Sequence, residues 1–378
     1  MKKYYLFFIM SILFAFFPTI ANGEIKSITE IEKIDVWDEY IKSENGREIH
    51  IQIPINIPDV DTLPIVDISR MEPDINGLNQ ILSNGAELSY NDLSGISIGC
   101  SDENSIYNIK KSGVRSYLCI NDLWSYENKN DISSIYANDN TYSLMYVKEK
   151  MIEFFQNMYK CEDEVEVQKV KMEICYLLTD EKEIENGELI GSGQYMLTGN
   201  QKIEKIPIIV SALRGYKVDK IENRVEDELR MLDNTVLLYW RDEHEFAFMT
   251  RGAVKEQNKI KENMKICDMS VIFDSIRNYI TKGVIEDIYS LELGYVVYAK
   301  SDENYEKKDK DVEFRLIPTW VAKCKYPNKN TNDVEFSNAY DYMNEFGFQY
   351  LLINAQDGKI SDPYTSEKNK YFAPEIIE

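Results

Sequence analysis

The chain has 378 residues, a formal net charge of −22 and a hydrophobic content of 44%. This length and apolar content are enough for a globular protein larger than one average domain. The negative charge repels phosphate backbones and anionic lipid headgroups. The composition therefore argues against nucleic-acid binding and against direct binding of the mature chain to lipid.

The first 23 residues are predicted to be a secretory signal peptide. A basic start precedes an apolar run over residues 4–17, and the small residues Ala21 and Gly23 suit the pockets of a signal peptidase. We therefore expect cleavage before Glu24 and a secreted or extracytoplasmic protein. An uncleaved N-terminal membrane anchor is the alternative, because a bilayer needs about 20 apolar residues and the run approaches that length.

The segment from Val36 to Ile57 has the pattern of a β-hairpin. Isoleucine occupies every second position from Ile49 to Ile57, which is the period of a half-buried strand. Asn45 and Gly46 accept the positive φ angles of a tight turn between the two strands. Pro54 cannot donate a ladder hydrogen bond, so we expect the second strand to lie at an edge or to bulge there.

The middle of the chain predicts helices and strands without a regular alternation. A helix capped by Asp74 is expected after the hairpin, and a break is expected at the glycines between Gly191 and Gly199. Further predicted elements are a short strand at 63–68, an amphipathic helix at 145–159 burying Met151, Phe154, Phe155 and Met158, a strand at 165–178 and an apolar run at 206–213.

The last third of the chain predicts mainly strands. Its elements are a strand or hairpin at 235–248, a helix at 269–280 burying Val271, Ile272, Ile276 and Ile280, one or two strands at 284–299, a strand at 312–324 and a hairpin turn at Asp357-Gly358. The fold class is therefore α+β, with mainly antiparallel sheets and a few packed helices. We expect two lobes, at residues 24–215 and 216–378.

Two short motifs could carry catalysis or metal binding. Residues 95–99 match G-x-S-x-G around Ser97, but the following residues predict a turn, whereas a nucleophile elbow requires a helix there. On a strand, Asp242 and His244 would share one face and could supply two metal ligands. A polar hairpin turn is the favoured interpretation of residues 242–245, and we assign no catalytic or metal-binding residue.

Neither the remaining acidic segments nor the cysteines indicate a cofactor. Asp59, Asp61 and the charged segment from Asp302 to Asp311 lack the spacing of an EF-hand calcium loop. The six cysteines contain no C-x-x-C pair, so they permit either up to three disulfides or buried free thiols.

Segments near both ends of the chain resemble known families. The segment from Val36 to Val66 resembles the opening of a family of uncharacterised secreted proteins and lipoproteins of Gram-positive bacteria, a domain of unknown function. The C-terminal end is similar to the close of that family, and also to PepSY-like domains and to the YycH/YycI regulators of a sensor kinase. The residues that carry the C-terminal likeness are Pro318, Trp320, Asn354, Ala355, Asp357 and Gly358.

The resemblance implies an α+β extracytoplasmic module without enzyme activity. This chain departs from the family in lacking a lipobox cysteine, and residues 84–200 match nothing in it. We therefore expect a binding or regulatory protein that acts on an envelope or membrane protein. The alternative is a secreted hydrolase or a carbohydrate-binding protein that uses some of the 26 tyrosines.

Overall fold

The computed structural model describes residues 25–71, 74, 89–92, 97–101, 106–110, 115–119, 127–128, 143–176, 191–219, 224–242, 245–300, 313–325 and 349–361. Within these ranges the helices are α1 (Leu144–Tyr159), α2 (Met269–Thr281) and a 3-10 turn at Ile28–Glu30. Strands dominate and pair mainly antiparallel, so the α+β prediction is confirmed.

The strands up to residue 128 are β1 (Val36–Lys42), β2 (Glu48–Asn56), β3 (Ile65–Arg70), β4 (Ser89–Asp92), β5 (Ser97–Ser101), β6 (Ile106–Lys110), β7 (Arg115–Cys119) and β8 (Glu127–Asn128). Those that follow are β9 (Val165–Tyr176), β10 (Gly191–Ile203), β11 (Ile206–Asp219), β12 (Arg224–Asp233), β13 (Val236–Asp242), β14 (Glu245–Arg251), β15 (Val254–Lys261), β16 (Asp287–Ala299), β17 (Phe314–Lys325), β18 (Gln349–Asn354) and β19 (Ile360–Ser361).

The long antiparallel pair β16–β17 forms the centre of the main sheet. Each of its outer edges is shared by two strands. β17 pairs with β3 near its start and with β18 near its end. β16 pairs in parallel with β2 through Leu291 and with β11 through Tyr295, and these parallel pairs make the sheet mixed. The predicted strand or strand pair at 284–299 is one strand with a register shift after Ile288.

A second group of strands, in the order β9-β10-β13-β14-β7, joins the main sheet where β10 turns into β11. The turn residues Glu204 and Lys205 have φ angles of 53° and 66°. The expected break between Gly191 and Gly199 is wrong, because this segment is strand β10. At Gly199 the backbone of β9 comes so close that an added Cβ would lie 2.4 Å from the Glu166 carbonyl oxygen. Glycine is therefore the residue that this position of the strand accommodates, because there is no space for a side chain.

Two clusters of buried apolar side chains form the core. The first packs the main sheet against α2, and its largest members include Trp320, Tyr295 and Phe314. The second packs α1 on β10, β13 and β14, and it contains all four side chains predicted to be buried by this helix. The predicted boundary between residues 215 and 216 falls within β11, and both clusters contain residues from either side of it.

The N-terminal hairpin is confirmed as β1 and β2. The β2 side chains alternate between exposed and buried along the whole strand, and Gly46 in the turn has a φ of +85°. Pro54 is exposed and lies one residue before β2 begins to pair with β16, so its missing N–H costs no ladder bond.

The predicted helix at 269–280 is confirmed as α2. Ile272, Ile276 and Ile280 are fully buried, whereas Val271 is half-buried against the same cluster. The helix predicted to begin at Asp74 lies outside the described residues.

Candidate functional site

The residues of the C-terminal motif predicted from the sequence come together in the structure although they are far apart in sequence. Pro318 and Trp320 lie in β17, and Asn354 ends β18. Asn354 pairs with Thr319, which lies between Pro318 and Trp320. The hairpin turn predicted at Asp357-Gly358 is confirmed, since the chain returns there into β19.

The turn from Asn354 to Lys359 is closed by its own hydrogen bonds. The Asn354 side-chain oxygen accepts from the Gln356 N–H at 2.9 Å, and the Asn354 carbonyl accepts from the Gly358 N–H at 2.8 Å. Asp357 Oδ1 accepts from the Lys359 N–H at 3.0 Å. These bonds fix the turn in the shape that it presents to α2.

The same turn packs directly on α2. Gly358 has a φ of +69°, and a Cβ added to it would lie 2.8 Å from Cγ1 of Val271 and 3.1 Å from Oγ of Ser275. The Ala355 carbonyl accepts from the N–H of Cys267, just before the helix, at 2.8 Å. Ala355 and Gly358 therefore support the first turns of α2.

Helix α2 in turn supports β1. The ring of Phe273 stacks on Trp37 with centroids 4.4 Å apart. Arg277 donates from Nε and Nη2 to the two carboxylate oxygens of Glu39, at 2.9 and 2.8 Å. These hydrogen bonds hold the pKa of Glu39 below its ordinary value of 4.5, although partial burial opposes them. β1 is thus fixed from its inner face by an aromatic contact and an ion pair.

The outer face of the hairpin carries an ordered group of exposed side chains. Tyr40 is 65% exposed and Val36 is 52% exposed, both on β1. The Tyr40 ring lies parallel to the His50 ring at 4.1 Å, and His50 Nε2 lies 2.8 Å from Asp38 Oδ1. Gln52 donates to the other Asp38 oxygen at 3.2 Å. We call Val36, Asp38, Tyr40, His50 and Gln52 the hairpin face.

A small polar cleft lies where the two groups of strands meet. Glu292 is 7% exposed, and its carboxylate lies 3.6 Å from the ammonium of Lys323. The cleft is lined by Gln168, Thr198, Gly199, Asn200, Ile209, Thr235, Glu292, Lys323 and Tyr350. The free volume of the cleft is about 30 Å³. This space suits one or two waters, whereas an organic ligand needs a cavity of about 300 Å³ or more.

Beside the cleft, buried amide side chains join the two groups of strands. Gln201 is fully buried, accepts from the Val254 N–H at 3.0 Å and donates to Asp163 at 2.8 Å. Asn234 donates to the Gly252 carbonyl at 2.8 Å and to Ser211 Oγ at 3.0 Å. Each amide satisfies backbone groups that the sheet ladders leave open, so this junction is held by hydrogen bonds. No local sequence signal singles out Gln201 or Asn234.

Arg70 adds charge to the same junction. Its guanidinium donates to the carbonyls of Gly252 and Ala212, at 3.0 and 2.6 Å, and lies 4.3 Å above the centre of the Phe314 ring. The cation is therefore held by carbonyl dipoles on one side and by an aromatic face on the other.

The two candidate motifs, around Ser97 and around Asp242, occur in or next to antiparallel strand pairs. Ser97 begins β5 and pairs antiparallel with Lys110, and the chain continues as strand to Ser101. A nucleophile elbow requires a strand-to-helix turn at the serine, and this backbone has none. Asp242 pairs with Glu245 across the β13–β14 connection, while Glu243 and His244 lie outside the described residues.

The other acidic candidates are dispersed. Asp59 and Asp61 are exposed, and Asp59 lies 3.5 Å from the Lys33 ammonium. The segment from Asp302 to Asp311 lies outside the described residues. Within the described ranges, no group of three or more His, Cys, Asp or Glu side chains has the proximity needed to hold a metal ion.

Two of the cysteines are free thiols with limited access to solvent. Cys267 is buried, and burial raises the pKa of its thiol to about 12. Cys161 is half-buried, and burial raises the pKa of its thiol to about 11. Because the thiolate is the nucleophilic form, neither site favours thiol chemistry near neutral pH.

The residues predicted for signal cleavage, Ala21, Gly23 and Glu24, lie outside the described residues. Among the helices that are described, none has both the length and the apolar character required to cross a bilayer.

Comparison with known proteins gives one structural likeness. A crystal structure of an uncharacterized protein from Eubacterium rectale ATCC 33656 is similar to this chain with a TM-score of 0.48 and 13% sequence identity. The match covers 90% of this chain and 96% of that protein. No protein-family model and no curated protein matches the chain.

Proposed function

We propose that this chain is a non-enzymatic extracytoplasmic protein that binds, and thereby regulates, a protein of the cell envelope. The observation that carries the proposal is the exposure of Tyr40 on a strand whose inner face is fixed to α2. A rigidly placed tyrosine offers a large contact area with a polar tip and loses little conformational entropy on binding, so tyrosine is enriched at protein interfaces.

The rest of the hairpin face supports a protein partner. Val36 adds a second exposed apolar side chain on the same strand, and Asp38, His50 and Gln52 surround the tyrosine with hydrogen-bonding groups. An apolar centre with a polar rim is the usual anatomy of a protein–protein contact.

The proposal also includes export and a two-lobe organisation. Export rests on the apolar run at residues 4–17 and on the cleavage site before Glu24. We place one lobe around each of the two buried clusters, so the lobes do not divide at residue 215, and the polar residues around Gln201 and Asn234 join them. The likeness to secreted Gram-positive proteins and to kinase regulators supports an envelope partner.

The test is site-specific photocrosslinking in the native host. A benzophenone amino acid is placed at position 40 and, in a separate variant, at position 289. Tyr289 is the matched control because it is also an exposed tyrosine, at 43%, but lies on β16, which is separated from β1 by the intervening strand β2. We expect one envelope protein, identified by mass spectrometry, to crosslink from position 40 and not from position 289.

Two outcomes would count against the proposal. Identical adducts from both positions would show that the contacts are non-specific. No adduct from position 40, in cells where the variant is exported in normal amounts, would remove the hairpin face as a contact surface.

A further inference from the structure

The outer edge of β1 presents a regular row of backbone groups that no other described strand pairs with. The Ile55 N–H donates to the Asp35 carbonyl, and the Ser43 N–H donates to the Arg47 carbonyl. In an antiparallel pair the backbone groups of every second residue face the partner strand, so the odd-numbered residues of β1 bond to β2. The N–H and C=O groups of Val36, Asp38, Tyr40 and Lys42 therefore point away from β2.

No other described strand pairs with this outer edge of β1. The sheet pairings of β1 involve β2 alone among the strands that the structure describes. The edge is seven residues long and contains no proline, whereas proteins commonly protect such edges with proline, bulges or covering segments. An edge of this length can hydrogen-bond an added strand through four successive outward residues.

The charges around the edge select the kind of strand that could be added. The exposed charged side chains between residues 35 and 48 are the acids Asp35, Asp38, Glu44 and Glu48 and the bases Lys42 and Arg47. The guanidinium of Arg47 lies 3.6 Å from the carboxylate of Glu286, so part of the positive charge is already neutralised. Along β1 and the residue before it, Asp35 and Asp38 outnumber Lys42, and the turn and the start of β2 add Glu44 and Glu48, so the edge is weakly acidic on a chain whose formal net charge is −22.

This charge distribution disfavours a second copy of the chain as the occupant. Pairing β1 with β1 would bring two acidic edges together and cost electrostatic free energy. A basic extended segment would instead gain attraction from Asp35, Asp38, Glu44 and Glu48.

We propose that β1 binds an extended, basic segment of its partner protein by accepting it as an additional strand of the sheet. This inference rests on the proposed function and specifies the partner's chemistry and the binding mode. Main-chain hydrogen bonds to the even-numbered residues supply affinity, and the acidic side chains select lysine- or arginine-rich segments. The Tyr40 ring packs against side chains on the outer face of the added strand.

The first experiment measures binding of a fluorescein-labelled twelve-residue peptide of alternating lysine and threonine by fluorescence anisotropy. We expect saturable binding that weakens as salt is added and that is absent for the matching peptide of alternating glutamate and threonine. A third peptide carries N-methyl groups on alternate lysine amides and on alternate threonine amides, which removes hydrogen-bond donors from both edges while keeping the charge. We expect it to bind at least about tenfold more weakly, since each lost backbone bond and each methyl clash opposes strand pairing.

The second experiment uses two variants at one position. Tyr40→Pro removes an outward-facing N–H and leaves the β1–β2 ladder intact, because the Tyr40 N–H does not bond to β2. Tyr40→Ala removes the same side chain but keeps the N–H. We expect Tyr40→Pro to weaken lysine–threonine peptide binding about tenfold more than Tyr40→Ala does.

The outcomes distinguish this inference from the proposed function. If the N-methylated peptide binds as tightly as its parent, or if the lysine–threonine peptide does not bind, strand addition is wrong, while specific crosslinking from position 40 would still support a protein partner. A dimer detected by light scattering and abolished by Tyr40→Pro would make a second copy the occupant and overturn the inference. Should Tyr40→Pro fail to fold, the peptide comparison decides the question with the unaltered protein.

Discussion

Arg277 and Glu39 form a two-pronged ion pair that ties helix α2 to the exposed strand β1. The Nε and Nη2 donors lie 2.9 and 2.8 Å from the two carboxylate oxygens, and the Trp37 indole N–H adds a third bond to Glu39 at 2.9 Å. Three hydrogen bonds on one carboxylate fix its position much better than a single surface contact does. The alignment of β1, and hence of the hairpin face, depends on this contact.

The ion pair predicts a defined pH dependence of stability. The pKa of Glu39 is lowered in the folded protein by its hydrogen bonds to Arg277, so the folded state binds the Glu39 proton less readily than the unfolded state does. The stabilisation is therefore complete above the unfolded value near 4.5 and is lost as the pH falls through the lower folded pKa. We expect Glu39→Gln to reduce the free energy of unfolding by about 1 kcal/mol at pH 7, with a difference that vanishes at low pH.

Urea unfolding of the wild type and Glu39→Gln between pH 3 and pH 7 measures this difference. Glu44→Gln is the control, because the Glu44 side chain is exposed, and its effect should stay within about 0.5 kcal/mol. A difference for Glu39→Gln that does not change with pH would contradict the assignment.

Gly358 is expected to be much less tolerant of substitution than Gly46. Both have positive φ angles, +69° and +85°, so alanine costs about 1 kcal/mol of backbone strain at either position. At Gly358 the added Cβ would also meet Val271 at 2.8 Å, whereas nothing lies within 4 Å at Gly46. We expect Gly358→Ala to lower the free energy of unfolding by about 2–4 kcal/mol and Gly46→Ala by about 1 kcal/mol.

Denaturant unfolding of both variants tests this expectation. Combining Gly358→Ala with Val271→Ala removes the closest of the contacts that the added Cβ makes and should cost less than the sum of the two single substitutions. Strict additivity would show that Gly358 and Val271 do not interact as the structure indicates.

Removing the buried side-chain amide of Gln201 is expected to lower the stability of the folded protein substantially. Gln201→Met keeps the side-chain length but leaves the Val254 N–H, buried at the junction, without its acceptor. An unsatisfied buried donor costs about 1–3 kcal/mol, and the apolar replacement does not recover the bond to Asp163. We expect Gln201→Met to lower the free energy of unfolding by about 2–3 kcal/mol.

Gln257→Met is the matched control for this substitution. Gln257 is exposed on β15 and donates to Ser69 Oγ at 2.8 Å, so its replacement should change the free energy of unfolding by less than about 0.5 kcal/mol. Equal effects at the two positions would show that burial of Gln201 does not contribute to stability.

We expect the thiols of Cys267 and Cys161 to be alkylated slowly in the folded state. Burial raises the thiol pKa to about 12 at Cys267 and to about 11 at Cys161, so almost no thiolate is present at pH 8. We expect iodoacetamide to modify Cys267 only after unfolding in urea, and Cys161 slowly in the native protein because its side chain is half-buried. Peptide mass spectrometry after timed labelling measures both rates, and rapid native labelling of Cys267 would contradict its placement.

Several elements could be predicted because their signals are local. The alternation from Ile49 to Ile55 gives the buried face of β2, and the spacing of Met151, Phe154, Phe155 and Met158 gives the buried face of α1. Asp357-Gly358 predicts its turn through the φ angle that glycine allows. In each case neighbouring residues carry all the information that the element requires.

The glycine-rich segment at residues 191–199 shows where local signals fail. Glycines predict a break, yet β10 runs through them because the β9 backbone at Glu166 fills the space of a side chain at Gly199. The junction residues Gln201 and Asn234 could not be predicted from local sequence for a related reason. Their amides are buried because backbone groups of Val254 and Gly252, distant in sequence, become their partners.

By itself the sequence determined the buried faces of β2, α1 and α2, the two hairpin turns and the α+β class, because periodicity and turn chemistry depend on adjacent residues. Only the tertiary structure decided which strands meet. Periodicity specifies which face of a strand is buried, but its neighbours are chosen by packing over the whole chain. That long-range choice places Asn354 beside Thr319, fixes α2 against β1 through Arg277 and Glu39, and leaves the outer edge of β1 unpaired among the described strands.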